Sequence, residues 1–257
     1  MATRVPLAFL CFVLFASPLL AAKTFDFYYL VLMWPGAYCT QSTCCRPTTG
    51  LPKNDFYVRG LWTFSSTTGK PVTKCNSDPF YVDELTSSDI CIYELQLSSL
   101  EDDLNSYWAN LKCPSNDGVV HWKKTWKTYG VCSRMNETEY FQAALELRAK
   151  VDVLSLLDKK GIKPSLLHIY GASDIEKAIG EGIGATPVIR CSKGLLGLFQ
   201  LYEIYICVDK DGKTIIECPV KPRFTCSEEI LFVPFDTNQL QNVPPAADPA
   251  ELLFSDE

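Results

Sequence analysis

Histidine is nearly absent from this chain: 257 residues hold only two, His121 and His168. Zinc-type spacings such as H-E-x-x-H are therefore excluded, no C-x-x-C stands in for them, and no metal or organic cofactor is expected. His168 lies in the apolar run Leu166-Leu167-His168-Ile169-Tyr170 and reads as a hydrogen-bonded structural residue rather than a ligand. Net positive charge is lacking as well, since the formal charge is −6. A protein held to nucleic acid by many phosphate contacts is usually basic, so strong nonspecific RNA binding is disfavoured at neutral pH, and no DNA partner is expected. Beyond residue 22 no stretch is apolar for long enough to span a bilayer, and no internal repeat occurs.

What is present begins with a leader. Met1 to Ala22 has one basic residue, Arg4, then an apolar stretch ending in Leu20-Ala21-Ala22, the pattern of a secretory signal peptide rather than a membrane anchor. Removing it leaves 23 basic against 30 acidic residues, a formal charge of −7, and eleven of the twelve cysteines. So many cysteines in a secreted chain predict a disulfide framework. Cys207 and Cys218 flank Asp209-Lys210-Asp211-Gly212, a hairpin turn between two β-patterned runs, which pairs them across the hairpin. An odd number leaves one cysteine over.

Two short segments carry the chemistry. One is Phe56-Tyr57-Val58-Arg59-Gly60-Leu61-Trp62; the other is His121-Trp122-Lys123-Lys124-Thr125-Trp126-Lys127-Thr128-Tyr129-Gly130-Val131-Cys132. Together they resemble the paired active-site segments of the ribonuclease T2 family, secreted base-nonspecific ribonucleases that include the plant S-like ribonucleases. The family motifs read roughly F-x-I-H-G-L-W-P and F-W-x-H-E-W-x-K-H-G-T-C. Gly60, Leu61, Trp62, Trp122, Trp126, Gly130 and Cys132 keep that frame. The functional positions do not: the first catalytic histidine falls on Arg59, and the second segment's histidine, glutamate, lysine and catalytic histidine fall on Lys124, Thr125, Thr128 and Tyr129.

The resemblance implies RNA cleavage by attack of the ribose 2′-hydroxyl on phosphorus, which needs one group to remove a proton and another to supply one. Histidine titrates near the working pH, whereas tyrosine near 10 and arginine above 12 do not. An inactive homologue is therefore expected, and an active enzyme with a rearranged site, built on His121, is the competing reading. In a helix, positions 124, 125, 128 and 129 share one face, so all four are expected to look into the cleft. Arg59 and Lys124 could still bind phosphate, and the expected partner is RNA or a nucleotide, held weakly. The binding side also departs from the family at Leu32, Met33, Thr63, Phe64 and His121, while Trp62 and Cys113-Pro114-Ser115-Asn116 match. Trp62, Trp122 and Trp126 read as core aromatics, with base stacking by Trp62 as the alternative.

The resemblance further implies the pairs Cys39–Cys44, Cys45–Cys113, Cys75–Cys132, Cys191–Cys226 and Cys207–Cys218, leaving Cys91. That residue sits among apolar neighbours and reads as a buried thiol, with an intermolecular link as the less favoured reading. Asn136-Glu137-Thr138 is a glycosylation sequon that equally suits a helix N-cap.

The fold expected from pattern and resemblance is α+β, an antiparallel sheet surrounded by helices. Strands are predicted at Phe25 to Met33 and Phe56 to Trp62, a hairpin at Leu201 to Val208 with Lys213 to Cys218, and helices at Ser99 to Leu111, along the second motif and at Glu137 to Lys160. A shorter helix is predicted to open with the capping box Ser173-Asp174-Ile175-Glu176. One domain is expected over residues 23–235, followed by an acidic, proline-containing tail, 236–257, without order. The role expected is storage, stress or defence, or RNA binding, in the extracellular space or the vacuole.

Overall fold

A computed structural model of the protein describes residues 24–78, 97–113, 118–194 and 197–242. The leader, Cys91, Pro114-Ser115-Asn116 and residues 243–257 lie outside them.

The strands are β1 (Phe27–Met33), β2 (Tyr57–Ser65), β3 (Lys70–Pro71), β4 (Ser165–Gly171), β5 (Val188–Lys193), β6 (Phe199–Asp209), β7 (Ile215–Ile216) and β8 (Glu229–Phe232). They form one sheet in the order β3-β2-β1-β6-β8-β4, with β5 and β7 also pairing β6. All pairings are antiparallel except the short β6–β8 contact. The helices are α1 (Pro35–Cys39), α2 (Glu101–Tyr107), α3 (Gly118–Thr128), α4 (Glu137–Val151), α5 (Val153–Asp158) and α6 (Ala172–Ile183). Sheet and helices together make the α+β architecture.

β1 explains the centre. All seven residues of Phe-Tyr-Tyr-Leu-Val-Leu-Met are buried, because both sheet faces are covered. Tyr28, Leu30 and Leu32 join the large core with Trp108, Tyr140, Phe141 and Leu147, whereas Phe27, Tyr29 and Val31 join Tyr205 and Cys207 in a second cluster. Each such side chain contributes roughly 1.5–3 kcal/mol. Five disulfides tie the loops: Cys39–Cys44, Cys45–Cys113, Cys75–Cys132, Cys191–Cys226 and Cys207–Cys218.

Several elements differ from the sequence expectation. The helix expected over Glu137 to Lys160 is broken at Asp152, whose backbone turns left-handed (φ 36°) while its carboxylate accepts from the Ser155 amide and starts α5. The capping box at Ser173 is not used. α6 begins at Ala172 directly out of β4, with Gly171 as N-cap and no side-chain cap, which places Asp174 inside the first turn. The helix expected from Ser99 to Leu111 is confined to α2. The run around His168 is not buried: β4 is an edge strand on which Leu167 is 91% exposed. His168 still meets the Ser165 hydroxyl, Nδ1 to Oγ 3.0 Å. The tail expected from Asp236 is packed on the domain as far as Gln241. Asp236 caps a 3₁₀ turn at Thr237–Gln239, Leu240 is buried, and Gln241 exchanges backbone hydrogen bonds with Cys44 and Arg46.

Asn136 caps α4. Its side chain accepts from the Glu139 amide at 2.8 Å, and the Glu139 carboxylate accepts from the Asn136 amide at 3.0 Å.

Candidate functional site

The motif residues divide into two sets with different physical jobs. The retained frame builds packing. Gly60 lets the Trp62 indole lie against the strand, since a Cβ there would come within 2.3 Å of Trp62 Nε1. Gly130 does the same for Trp126, where the approach would be 2.1 Å to the ring. Leu61 is buried, and its carbonyl accepts from the Tyr140 hydroxyl at 2.8 Å. Trp122 is buried with its Nε1 donating to the Trp108 carbonyl at 2.9 Å, and Cys132 is bonded to Cys75. Such positions tie β2 to α4 and α3 to the end of α2, whatever chemistry the cleft performs.

Two of the candidate positions, Arg59 and Lys124, help to line a cleft of about 440 Å³, with Met33, Tyr38, Lys112 and His121 among its other walls. That volume lies within the range of small-molecule sites, roughly 300–1,000 Å³. Arg59 reaches it from a β-bulge: Gly60 pairs with Val31 and Val58 with Leu32, leaving Arg59 as the extra residue. Its Nε lies 3.6 Å from Glu203 Oε1, and its guanidinium stands over the Tyr38 ring at 5.8 Å. His121 and Lys124 come from successive turns of α3. Burial, with help from the Arg59 and Lys124 charges, lowers the His121 pKa to about 4, against a hydrogen bond from the ring to the Arg59 carbonyl. The imidazole is thus neutral at pH 7.

Of the five candidate positions Arg59, Lys124, Thr125, Thr128 and Tyr129, the first two line this cleft and the other three do not. Thr125 is buried against β2, and its hydroxyl donates to the His121 carbonyl at 3.0 Å. The Thr128 hydroxyl donates to the Lys124 carbonyl at 2.6 Å, so both threonines bond back into their own helix. Tyr129 lies beyond the end of α3 and stacks on Trp62, ring centroids 5.3 Å apart and planes 16° from parallel. Burial pushes its phenol up. The shared face expected for 124, 125, 128 and 129 is therefore split, because helix periodicity ends at Thr128 and two of its members satisfy their hydroxyls locally. Trp122 and Trp126 are core residues, while Trp62 is half-buried, one face against Tyr129 and its edge region against Tyr205 at 5.9 Å.

Sequence reasoning missed Glu203, Arg190 and Tyr205. Glu203 is 1% exposed, and its Oε2 accepts from Arg190 Nη1 and from the Tyr205 hydroxyl, each at 2.9 Å. A lone carboxylate in the apolar run Leu201-Tyr202-Glu203-Ile204-Tyr205-Ile206 was the available signal. Chemically, the cleft offers fixed cations and one neutral imidazole. Among the described residues no group of three His, Cys, Asp or Glu side chains could hold a metal ion, and no helix is long and apolar enough to cross a membrane.

The family model described as "Ribonuclease T2 family" matches residues 25–218. "Intracellular ribonuclease LX" of Solanum lycopersicum is 39% identical over 219 residues, 84% of this chain and 87% of that protein. A "Ribonuclease-like storage protein" of Panax ginseng is 28% identical over 194 residues, 75% of this chain and 74% of that one. Among solved structures, RNase NT in complex with 5′-AMP superposes with a TM-score of 0.73 at 38% identity, covering 83% of this chain and 100% of that one. With its motif frame, its α+β sheet and its cleft between β2 and α3, the chain belongs to the ribonuclease T2 family, alongside plant S-like ribonucleases.

Proposed function

We propose that this protein is a catalytically inactive homologue of the plant S-like ribonucleases that binds nucleotide or RNA weakly in the Arg59–Lys124 cleft and serves in storage, stress or defence. The observation that carries the reading is the composition of the cleft. Transphosphorylation needs a proton acceptor and a proton donor near neutrality. Arg59 has no lone pair to accept with, Lys124 is a cation, the Tyr129 phenol is turned onto Trp62, and among the described residues that line the cleft none is an acid to pair with His121, Glu203 behind it being engaged by Arg59, Arg190 and Tyr205. Binding is a separate matter, since fixed cations still favour a phosphate. The storage-like relative and the 5′-AMP held by RNase NT support the two halves of the proposal.

The proposal extends to compartment and processing. The leader ends at Ala22, the family domain follows from residue 23, and the protein is extracellular or vacuolar, which the five disulfides support. Asn136 is a candidate glycan acceptor because it is exposed and caps α4 through its oxygen, which leaves Nδ2 available.

The second reading is an RNA endonuclease with a relocated site, and the place of His121 in the cleft is what favours it. Digestion of total RNA and of a dinucleotide by the oxidised protein, from acid to neutral pH, separates the two when run beside an active relative and the His121→Ala variant. No cleavage is expected. Cleavage abolished by His121→Ala would replace the inactive reading with the relocated site.

A further inference from the structure

The cleft has a buried charge at its back, the Glu203 carboxylate. In the sheet ladder Glu203 pairs with Met33 of β1 on one side and Arg190 of β5 on the other; the β5–β6 ladder is bulged beside Arg190 and the β1–β2 ladder at Arg59, while the β1–β6 ladder between them is regular. A carboxylate in such a place persists only when its charge is balanced and its oxygens are hydrogen-bonded. Oε2 has Arg190 and the Tyr205 hydroxyl; Oε1 faces Arg59. Arg190 is itself spread over Tyr202 and Phe224, at 5.6 and 5.5 Å, and its side chain is 44% exposed. Arg59 is thus the inward partner that reaches the second oxygen.

We infer that Glu203 is a positioning residue of the cleft: its carboxylate reserves position 59 for a permanent cation, so that Arg59 and Glu203 act as one unit. The substitution at position 59 is then not an isolated loss of an imidazole. An imidazole placed there would stand among the groups that meet Arg59 or share its cleft, Glu203 and Tyr202 from β6, Tyr38 from α1, and His121 and Lys124 from α3, with Arg190 of β5 and Tyr205 of β6 on the far oxygen of Glu203. Lys112 lines the same cleft. The Glu203 carboxylate, which meets Arg59 at 3.6 Å, favours the protonated ring; Arg190, Lys112 and Lys124 oppose it. Such an imidazole is held as an ion-pair partner and removed from service as a base. The inference rests on the clamp geometry and is independent of whether RNA is turned over.

The test uses Arg59→His and Arg59→His/Glu203→Gln, with the introduced imidazole followed by NMR titration. Its midpoint is expected about one pH unit or more higher in the single variant than in the double. The same midpoint in both overturns the inference, because a purely structural Glu203 would move melting temperatures and leave the titration alone. Should Arg59→His fail to fold, a melting cycle with Arg59→Gln, Glu203→Gln and the double decides. Recovery of stability by Glu203→Gln in the Arg59→Gln background supports the unit, and additive losses overturn it.

Discussion

Gly60→Ala tests whether the retained motif frame is packing rather than chemistry. The new Cβ would sit 2.3 Å from Trp62 Nε1, 2.6 Å from its Cδ1 and 3.2 Å from Thr125 Cγ2. Carbon atoms do not approach that closely, so the indole must swing off the Tyr129 ring, or β2 must move away from α3 at Thr125. Overpacking of this kind costs about 1–3 kcal/mol, and losing the Trp62–Tyr129 stack costs about 0.5–1.5 kcal/mol. The lower entropy of unfolded alanine offsets about 0.4–1 kcal/mol. Gly60 is not among the glycines with positive φ, so backbone strain adds nothing. The net loss is about 1–3 kcal/mol, a fall in melting temperature of roughly 2–12 °C for a chain of this size. Thermal unfolding measures the loss, and tryptophan fluorescence reports the displaced indole. In a Trp62→Ala background the same substitution should cost much less, since the obstacle is gone. An equal cost in both backgrounds, or unchanged stability and fluorescence in the first, would refute the packing argument.

Two further outcomes follow from the same geometry. The folded His121 releases its proton at about 4 instead of 6.5. The unfolded chain therefore binds more protons between those values, and stability, full above pH 6.5, is lost as pH falls to about 4. The loss is at most about 3 kcal/mol, and urea midpoints at pH 7 and 4.5 should converge in His121→Gln; a wild-type slope retained by that variant would contradict it. The disulfides Cys45–Cys113 and Cys207–Cys218 span sequence separations of 68 and 11. Replacing each pair by serine should cost about 4.5 and about 3 kcal/mol respectively in the chain-entropy account, and the reverse order in denaturant melts would refute that account here.

Much of the molecule was legible in one dimension because its signals are local. The unbroken apolar run of β1, the hairpin that closes on Cys207 and Cys218, and the two tryptophan-glycine frames each lie within a short stretch of chain. Asn136 with Glu139 likewise contains its whole capping box. Helix breaks were less legible: the α4–α5 join depends on one left-handed residue, Asp152, in a run whose apolar pattern continues on both sides.

The sequence by itself determined the family frame and which side chains stand at its motif positions, since both are matters of residue identity along the chain. Only the tertiary structure decided which of those positions share a cleft. Thr125 and Thr128 turn to their own helix and Tyr129 to Trp62, because α3 stops at Thr128. The charge that governs Arg59 comes from Glu203, which lies far along the chain and meets it only because β6 and β2 flank β1 in the same sheet. Periodicity reports the face a residue occupies on its own element, and the partner across that face is set by strand order and by the bulge that aims Arg59.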